Sequence, residues 1–165
     1  MVTSIKLALG LVDEVIEYLE DTLQAHLSAE ETLWADDIQL PMVNAFLRRD
    51  TADPRRMNNP PYLYSVVTRS TVQDWGAGQA LAMHQMHIWL VTLDHDPEQL
   101  RLKVYRYGNA IWKALAAADT ALSYRMATLE VAPMPEIDYS ETLTSGSVSY
   151  ADVRVTSWWT KLESD

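Results

Sequence analysis

Residues 96–118 read DPEQLRLKVYRYGNAIWKALAAA, a helix with a marked start and an apolar stripe wider than one contact requires. Asp96 can cap its first turn, Pro97 suits the first helical position and Glu98 complements the positive helix end. Leu100, Val104, Tyr107, Ile111 and Leu115 recur at helical spacing and form one face. Leu102, Arg106 and Lys113 fall on the opposite side and should be the more exposed residues. Tyr105 and Trp112 flank the apolar stripe, with Arg101 beside them. A helix that only covers a sheet has no need of two large aromatics there. The surplus points to a second packing partner, another protein surface. The plainer alternative is a wider core contact within one chain.

Working outward, residues 81–93 (LAMHQMHIWLVTL) read as a strand. From Met86 both of its faces are apolar, with Met86, Ile88 and Leu90 on one and Trp89, Val91 and Leu93 on the other. That marks a strand covered on both sides. Residues 62–69 (YLYSVVTR) form the strand before it, rich in aromatic and β-branched residues. STVQDWGAG between the two reads as a loop with Gly76 and Gly78 as turn residues. After the helix come a third strand at 122–131, a connecting loop PMPEIDYSETLTSG with two prolines, and a last strand at 147–160. In that last strand Ala151, Val153, Val155 and Trp159 share one face, and Asp152, Arg154, Thr156 and Trp158 the other. Consecutive tryptophans therefore point to opposite faces, and one of them needs cover from outside the main core.

Residues 4 to about 27 read as an amphipathic helix with Ser4 as a candidate N-cap. Ile5, Leu9, Val12, Ile16, Leu19 and Leu23 form its apolar face, widened by Leu7, Leu11, Val15 and Tyr18. Asp13, Glu14, Glu17, Glu20 and Asp21 fill the rest. Residues 28–60 read as an irregular arm. Within it 38–47 could be a strand, confined to an edge by Pro41. RRDTADPRRMNNPP, residues 48–61, is a loop carrying Arg48, Arg49, Arg55 and Arg56, four of the 13 basic residues. It is either a solvated run or a dock for an acidic partner. The order helix, strand, strand, helix, strand, strand gives an α+β fold. A mostly antiparallel sheet of about four strands is covered by the N-terminal and central helices, in a single domain over residues 1–165.

Composition narrows function by exclusion. The net charge of −10 argues against general nucleic-acid binding and against anionic membranes. The absence of cysteine excludes disulfides, thiolate catalysis and cysteine-ligated metals. Asp13 and Glu14 interrupt the first helix, so it does not read as a signal peptide, and no apolar run is long enough to span a membrane. His84 and His87, three apart on a strand, point to opposite faces, while His26 and His95 stand alone. Gly76-Ala77-Gly78 is too short to cradle a phosphate. Glu14, Glu17, Glu20 and Asp21 share a helix face, as any solvated face would. No catalytic residue, cofactor site or metal site is therefore expected. Seven methionines and six tryptophans without a catalytic motif suggest a module held by its neighbours. Arg101, Tyr105, Trp112 and Trp158 are the subunit-interface candidates.

Three stretches resemble the tail terminator proteins of long-tailed bacteriophages. The first is Pro61-Tyr62-Leu63-Tyr64 followed by Val66-Val67-Thr68-Arg69-Ser70. The second is Glu98-Gln99-Leu100-Arg101 with Val104-Tyr105-Arg106-Tyr107-Gly108-Asn109-Ala110-Ile111. The third is Tyr150-Ala151-Asp152-Val153-Arg154-Val155. The resemblance spans roughly residues 1–160 and is most specific over 60–160. It implies a virion structural protein without enzymatic activity, assembled in the host cytoplasm. Such proteins form a ring, usually of six copies, on the head-proximal end of the tail tube. The ring stops further addition of tube subunits and meets the head-completion or connector proteins, while genomic DNA passes through its channel without specific binding. Carboxylates lining such a channel would repel DNA phosphates. A connector protein of the same neck, and a small α+β enzyme or ligand-binding module, are the alternatives.

Overall fold

The computed structural model describes residues 4–48, 60–76, 78–118, 121–126 and 136–164. Arg49, Arg55 and Arg56, the later part of the strand expected at 122–131, and Ala77 lie outside the described residues. In chain order the elements are α1 (Ser4–Trp34), β1 (Ala45–Leu47), β2 (Tyr62–Gly76), β3 (Gln79–Asp94), α2 (Pro97–Ala117), β4 (Arg125–Met126), β5 (Glu136–Tyr139), β6 (Leu143–Ser145) and β7 (Val148–Ser164). The fold is α+β, with both helices on one face of a mostly antiparallel sheet.

Three long strands make the frame. β3 lies between β2 and β7 and is antiparallel to both, with Leu63 opposite Leu90, Ile88 opposite Val155 and Leu90 opposite Val153. At about 3.3 Å per residue, the 17 residues of β7 run roughly 55 Å. Among the described residues, short strands complete a seven-stranded sheet. β1 adds parallel to β2, while β4, β5 and β6 each add antiparallel to a different part of β7. About four strands were expected, and the extra ones come from stretches of two to four residues. The two-proline connection after the third strand holds two of them, β5 and β6. Strand β2 also outruns the expected 62–69. Ser70 to Gly76 is strand rather than loop, because pairing with β3 overrides a polar local sequence. Between β2 and β3, Gly78 sits at φ +74°, where a side chain would be strained.

The core lies between the helices and one sheet face. Leu11, Val15, Ile16, Leu19 and Leu23 of α1 and Leu100, Val104, Ile111 and Leu115 of α2 meet Leu63, Met86, Ile88, Val153, Val155 and Trp159. The residues expected on the buried face of α2 are there, and Leu9 of α1 is a departure, exposed although it shares the expected stripe. On the far face of β3, Trp89 and Val91 are covered mainly by neighbours in the sheet, in a second cluster with Tyr62 and Tyr64. One transverse row runs Leu47, Tyr64, Trp89, Arg154, Asp138 across five strands. Tyr64 stacks on Trp89 at 6.0 Å, and the Arg154 guanidinium lies 5.2 Å from the Trp89 ring centre while bonding Asp138.

The arm expected at 28–60 begins as helix. Residues 28–34 contain no breaker, so α1 continues to Trp34 and stops at Ala35, whose φ is +48°. The chain bends at Asp36 and Asp37, residues 38–44 form no regular element, and only Ala45–Leu47 of the expected 38–47 is strand. This segment folds back on α2 and corrects one expectation. Arg106 is buried, not exposed, because Asp36 takes both of its terminal nitrogens and Trp34 lies beneath its guanidinium at 5.1 Å. Leu102 is exposed as expected, and Lys113 reaches across to the buried Glu30 at 2.5 Å.

Candidate subunit interface

The N-terminal turn of α2 is fixed before its surface is presented. Asp96 has extended backbone, and its Oδ1 accepts from the Glu98 and Gln99 amides at 2.8 and 3.4 Å. Asp94 accepts the Asp96 amide and pairs with Lys103 at 2.5 Å. Burial would raise the Asp94 pKa, but these hydrogen bonds leave it net below the usual carboxylate range. At the other side, Glu30 is buried on α1 and accepts from Asn109 and Lys113. Burial pushes its pKa up, and the Lys113 and Asn109 bonds outweigh that and lower it. Gly108 faces the sheet, and an added Cβ would stand 2.9 Å from Val153 Cγ2 and 3.0 Å from Ile137 Cγ2. A helix held this close on one side and clasped by α1 on another has one long side left.

That side carries Arg101, Tyr105 and Trp112, at spacings of four and seven residues, which place them along one line of the helix. Tyr105 and Trp112 are 38% and 37% exposed, so each keeps over a third of its surface available after folding. Arg101 Nε donates to the Tyr105 hydroxyl at 3.2 Å, and its guanidinium carbon lies 5.8 Å from the ring centre. Tyr105 in turn meets Tyr139 of β5 edge-to-face at 4.5 Å. A hollow of about 310 Å³ opens between these three residues and the Ser140–Thr142 turn. Burial, then Tyr105, raises the Tyr139 hydroxyl pKa, so it stays a neutral donor. The sequence reading missed Tyr139. The only available signal was the alternation in EIDY, masked by the prolines before it.

Trp158 does not join this cluster. It is half-buried on the opposite face of the sheet, in a transverse row with Gln85 and Arg69. Trp159 is fully buried, with its indole N–H on Ser157 Oγ at 2.8 Å, so adjacent tryptophans do take opposite faces.

The histidines offer no convergent site. His84 is buried on the helix side of β3, and His87 is half-buried on the other face. Ser70 Oγ lies 2.8 Å from His84 Nδ1, but among the described residues no carboxylate orients the ring and the buried Nε2 has no partner. A nucleophile–base pair needs that third group and an open approach. Among the described residues, no three His, Asp or Glu side chains are placed to hold a metal ion.

No protein-family model matches this chain, and no curated protein matches it. Among solved structures, it is similar to a chain of the structure titled "Virion of native gene transfer agent (GTA) particle". The identity is 15%, over 92% of this chain and 95% of that one, with a TM-score of 0.42. A TM-score of this size marks a likeness of outline.

Proposed function

We propose that this chain is a structural protein of a phage-type virion, a tail terminator that works as a ring. The ring, of about six copies, caps the tail tube at its head-proximal end, stops its growth and receives the head-completion proteins. One observation carries the reading: α2 is held on its other sides yet presents Arg101, Tyr105 and Trp112, with Tyr139 added from β5. Aromatic and arginine side chains with surplus surface are what subunit contacts are built from. The resemblance of residues 61–70, 98–111 and 150–155 to tail terminators supplies the biological setting. The role needs no cofactor, and the channel passes genomic DNA without reading it.

Sedimentation tests the ring and infection tests the role. The wild-type chain sediments as a closed oligomer, and Tyr105→Ala or Trp112→Ala shifts it towards monomer while the monomer's melting temperature stays within a few degrees. A phage lacking the gene makes tails of irregular, excessive length. Tails of normal length beside unjoined heads would assign the chain to the connector layer instead.

A further inference from the structure

Strand β2 carries a long edge that nothing covers among the described residues. β1 pairs only with Tyr62–Tyr64, and from Ser65 to Gly76 no strand lies on the outer side of β2. The edge is interrupted twice, at Thr68 and at Trp75, and between the two Arg69–Asp74 pair with β3. Edges of this length are normally blunted by charges, prolines or a covering segment. Residues 65–76 hold two charges, Arg69 and Asp74, and no proline. On the other side of the same three-stranded arm, β7 is covered in turn by β6, β5 and β4 as far as Thr160, and Leu162–Ser164 extend past the last of them.

We infer that the β2 edge is the seam between neighbouring copies in the ring, and that it takes the end of β7, from Leu162, of the next copy as its added strand. The inference rests on the ring reading above and names its second surface. A ring is built from head-to-tail contacts, in which one patch meets a different patch on the neighbour. Arg101, Tyr105 and Tyr139 lie on the flank where β5 joins β7, so their counterpart must lie on the opposite flank. In the strand order β1-β2-β3-β7 that flank is β1 over Tyr62–Tyr64, the height of Tyr139, and β2 from Ser65 onward.

Strand direction agrees. β2 and β7 are both antiparallel to β3, hence parallel to each other, and both run towards the same end of the arm. A rotation about an axis along the arm preserves strand direction, so β2 of one copy meets β7 of the next in parallel and the sheet continues across the seam. Charge favours the middle of the arm. The chain has 23 acidic residues, yet none falls in 60–73, 79–93 or 153–162, where Arg69, Arg154 and Lys161 are the charged side chains. Copies that each carry −10 repel one another, and the central stretches of the arm are where they can approach at least cost. The carboxylates of its three strands, Asp74, Asp94, Asp152 and Glu163, lie outside those stretches, and Asp74 and Glu163 fall at the seam itself.

The absence of cysteine gives a clean cross-linking test. Gln73 and Leu162 are exposed and share a transverse row through Leu81. Within one chain they stand two strands apart, about 9.6 Å at the usual strand spacing. That exceeds the Cα separation a disulfide spans, so any bond between them joins two molecules. The double variant Gln73→Cys/Leu162→Cys, oxidised in the assembled state, gives a ladder on a non-reducing gel that climbs past dimer to the ring number. Thr71→Cys/Leu162→Cys samples the neighbouring register, and each single variant, which has no cysteine opposite it in a head-to-tail seam, stays monomeric on the gel. Wild-type sedimentation is run beside it. A wild-type ring with no ladder from either pair overturns the seam alone. So does full-yield dimer from Gln73→Cys by itself, which means β2 meets β2. A wild-type chain that stays monomeric at every concentration overturns the ring reading itself.

Discussion

Gly108 is the position where one added carbon has least room. A Cβ there meets Val153 Cγ2 at 2.9 Å, Ile137 Cγ2 at 3.0 Å and Tyr139 Cε1 at 3.3 Å, and the first two belong to β-branched side chains that turn poorly. Gly108→Ala therefore lowers stability although alanine is the better helix former. Overpacking costs about 1–3 kcal/mol, and the helix preference returns about 1 kcal/mol. Urea unfolding reads the difference, and a more stable variant would show that α2 can lift off β7 freely. His84 is a second single-residue lever. Burial lowers its pKa, and burial followed by the Arg154 charge lowers that of His87. Below the unfolded value near 6.5, the unfolded chain takes up protons that the folded chain resists. Stability is thus complete above that pH and falls as the pH drops from 7 to 5. The unfolding midpoint follows that course, and His84→Gln flattens it. Single residues were the least legible scale in the sequence. Nothing local marks Arg106 as buried, because its partner Asp36 lies 70 residues away. Nothing marks Gly108 either, since its neighbours come from β5 and β7.

At the scale of elements, periodicity was legible wherever one face meets the core. The start of α2 at Asp96-Pro97 and its stripe through Leu100, Val104, Ile111 and Leu115 agree with the structure residue for residue. Ile111 is fully buried in that stripe, so Ile111→Ala costs roughly 2–5 kcal/mol in urea unfolding, while Leu102→Ala on the exposed side costs little. The face alternation of β7 was legible for the same reason. Element ends were not, because pairing partners and backbone conformation set them. β2 continues to Gly76 because β3 is there to pair with it. α1 continues to Trp34 and stops where Ala35 turns to φ +48°, with its amide bonded to Glu31 at 3.0 Å. That is the helix-stop conformation glycine favours, and a side chain holds it at a cost of about 1–2 kcal/mol. Ala35→Gly consequently raises the melting temperature by a few degrees. An unchanged or lower value would mean that the greater freedom of glycine in the unfolded chain outweighs the relief.

For the whole molecule the decisive property is where the charge is not. The net −10 was legible at once, but its distribution became meaningful only when the strand order placed β2, β3 and β7 side by side without a carboxylate in their central stretches. The acidic residues collect elsewhere, in part along the exposed side of α1, where Asp13, Glu17, Glu20 and Asp21 face solvent and Arg48 reaches Asp13 at 3.2 Å. In the proposed ring, like-charged bodies meet through an arm whose central stretches are neutral to weakly basic. Salt should then favour the ring. The Debye length shortens from about 30 Å at 0.01 M to about 8 Å at 0.15 M, which screens repulsion between neighbouring α1 surfaces while leaving strand pairing and aromatic contacts nearly untouched. Sedimentation across that range shows the oligomer fraction rising with salt. Replacing Glu17 and Glu20 by glutamine moves the midpoint to lower salt, with little change in the monomer's unfolding. A ring that instead falls apart as salt rises would mean that its contacts are opposite-charge pairs, with Arg101 seated on a neighbour's carboxylate rather than beside Tyr105 in an aromatic seam.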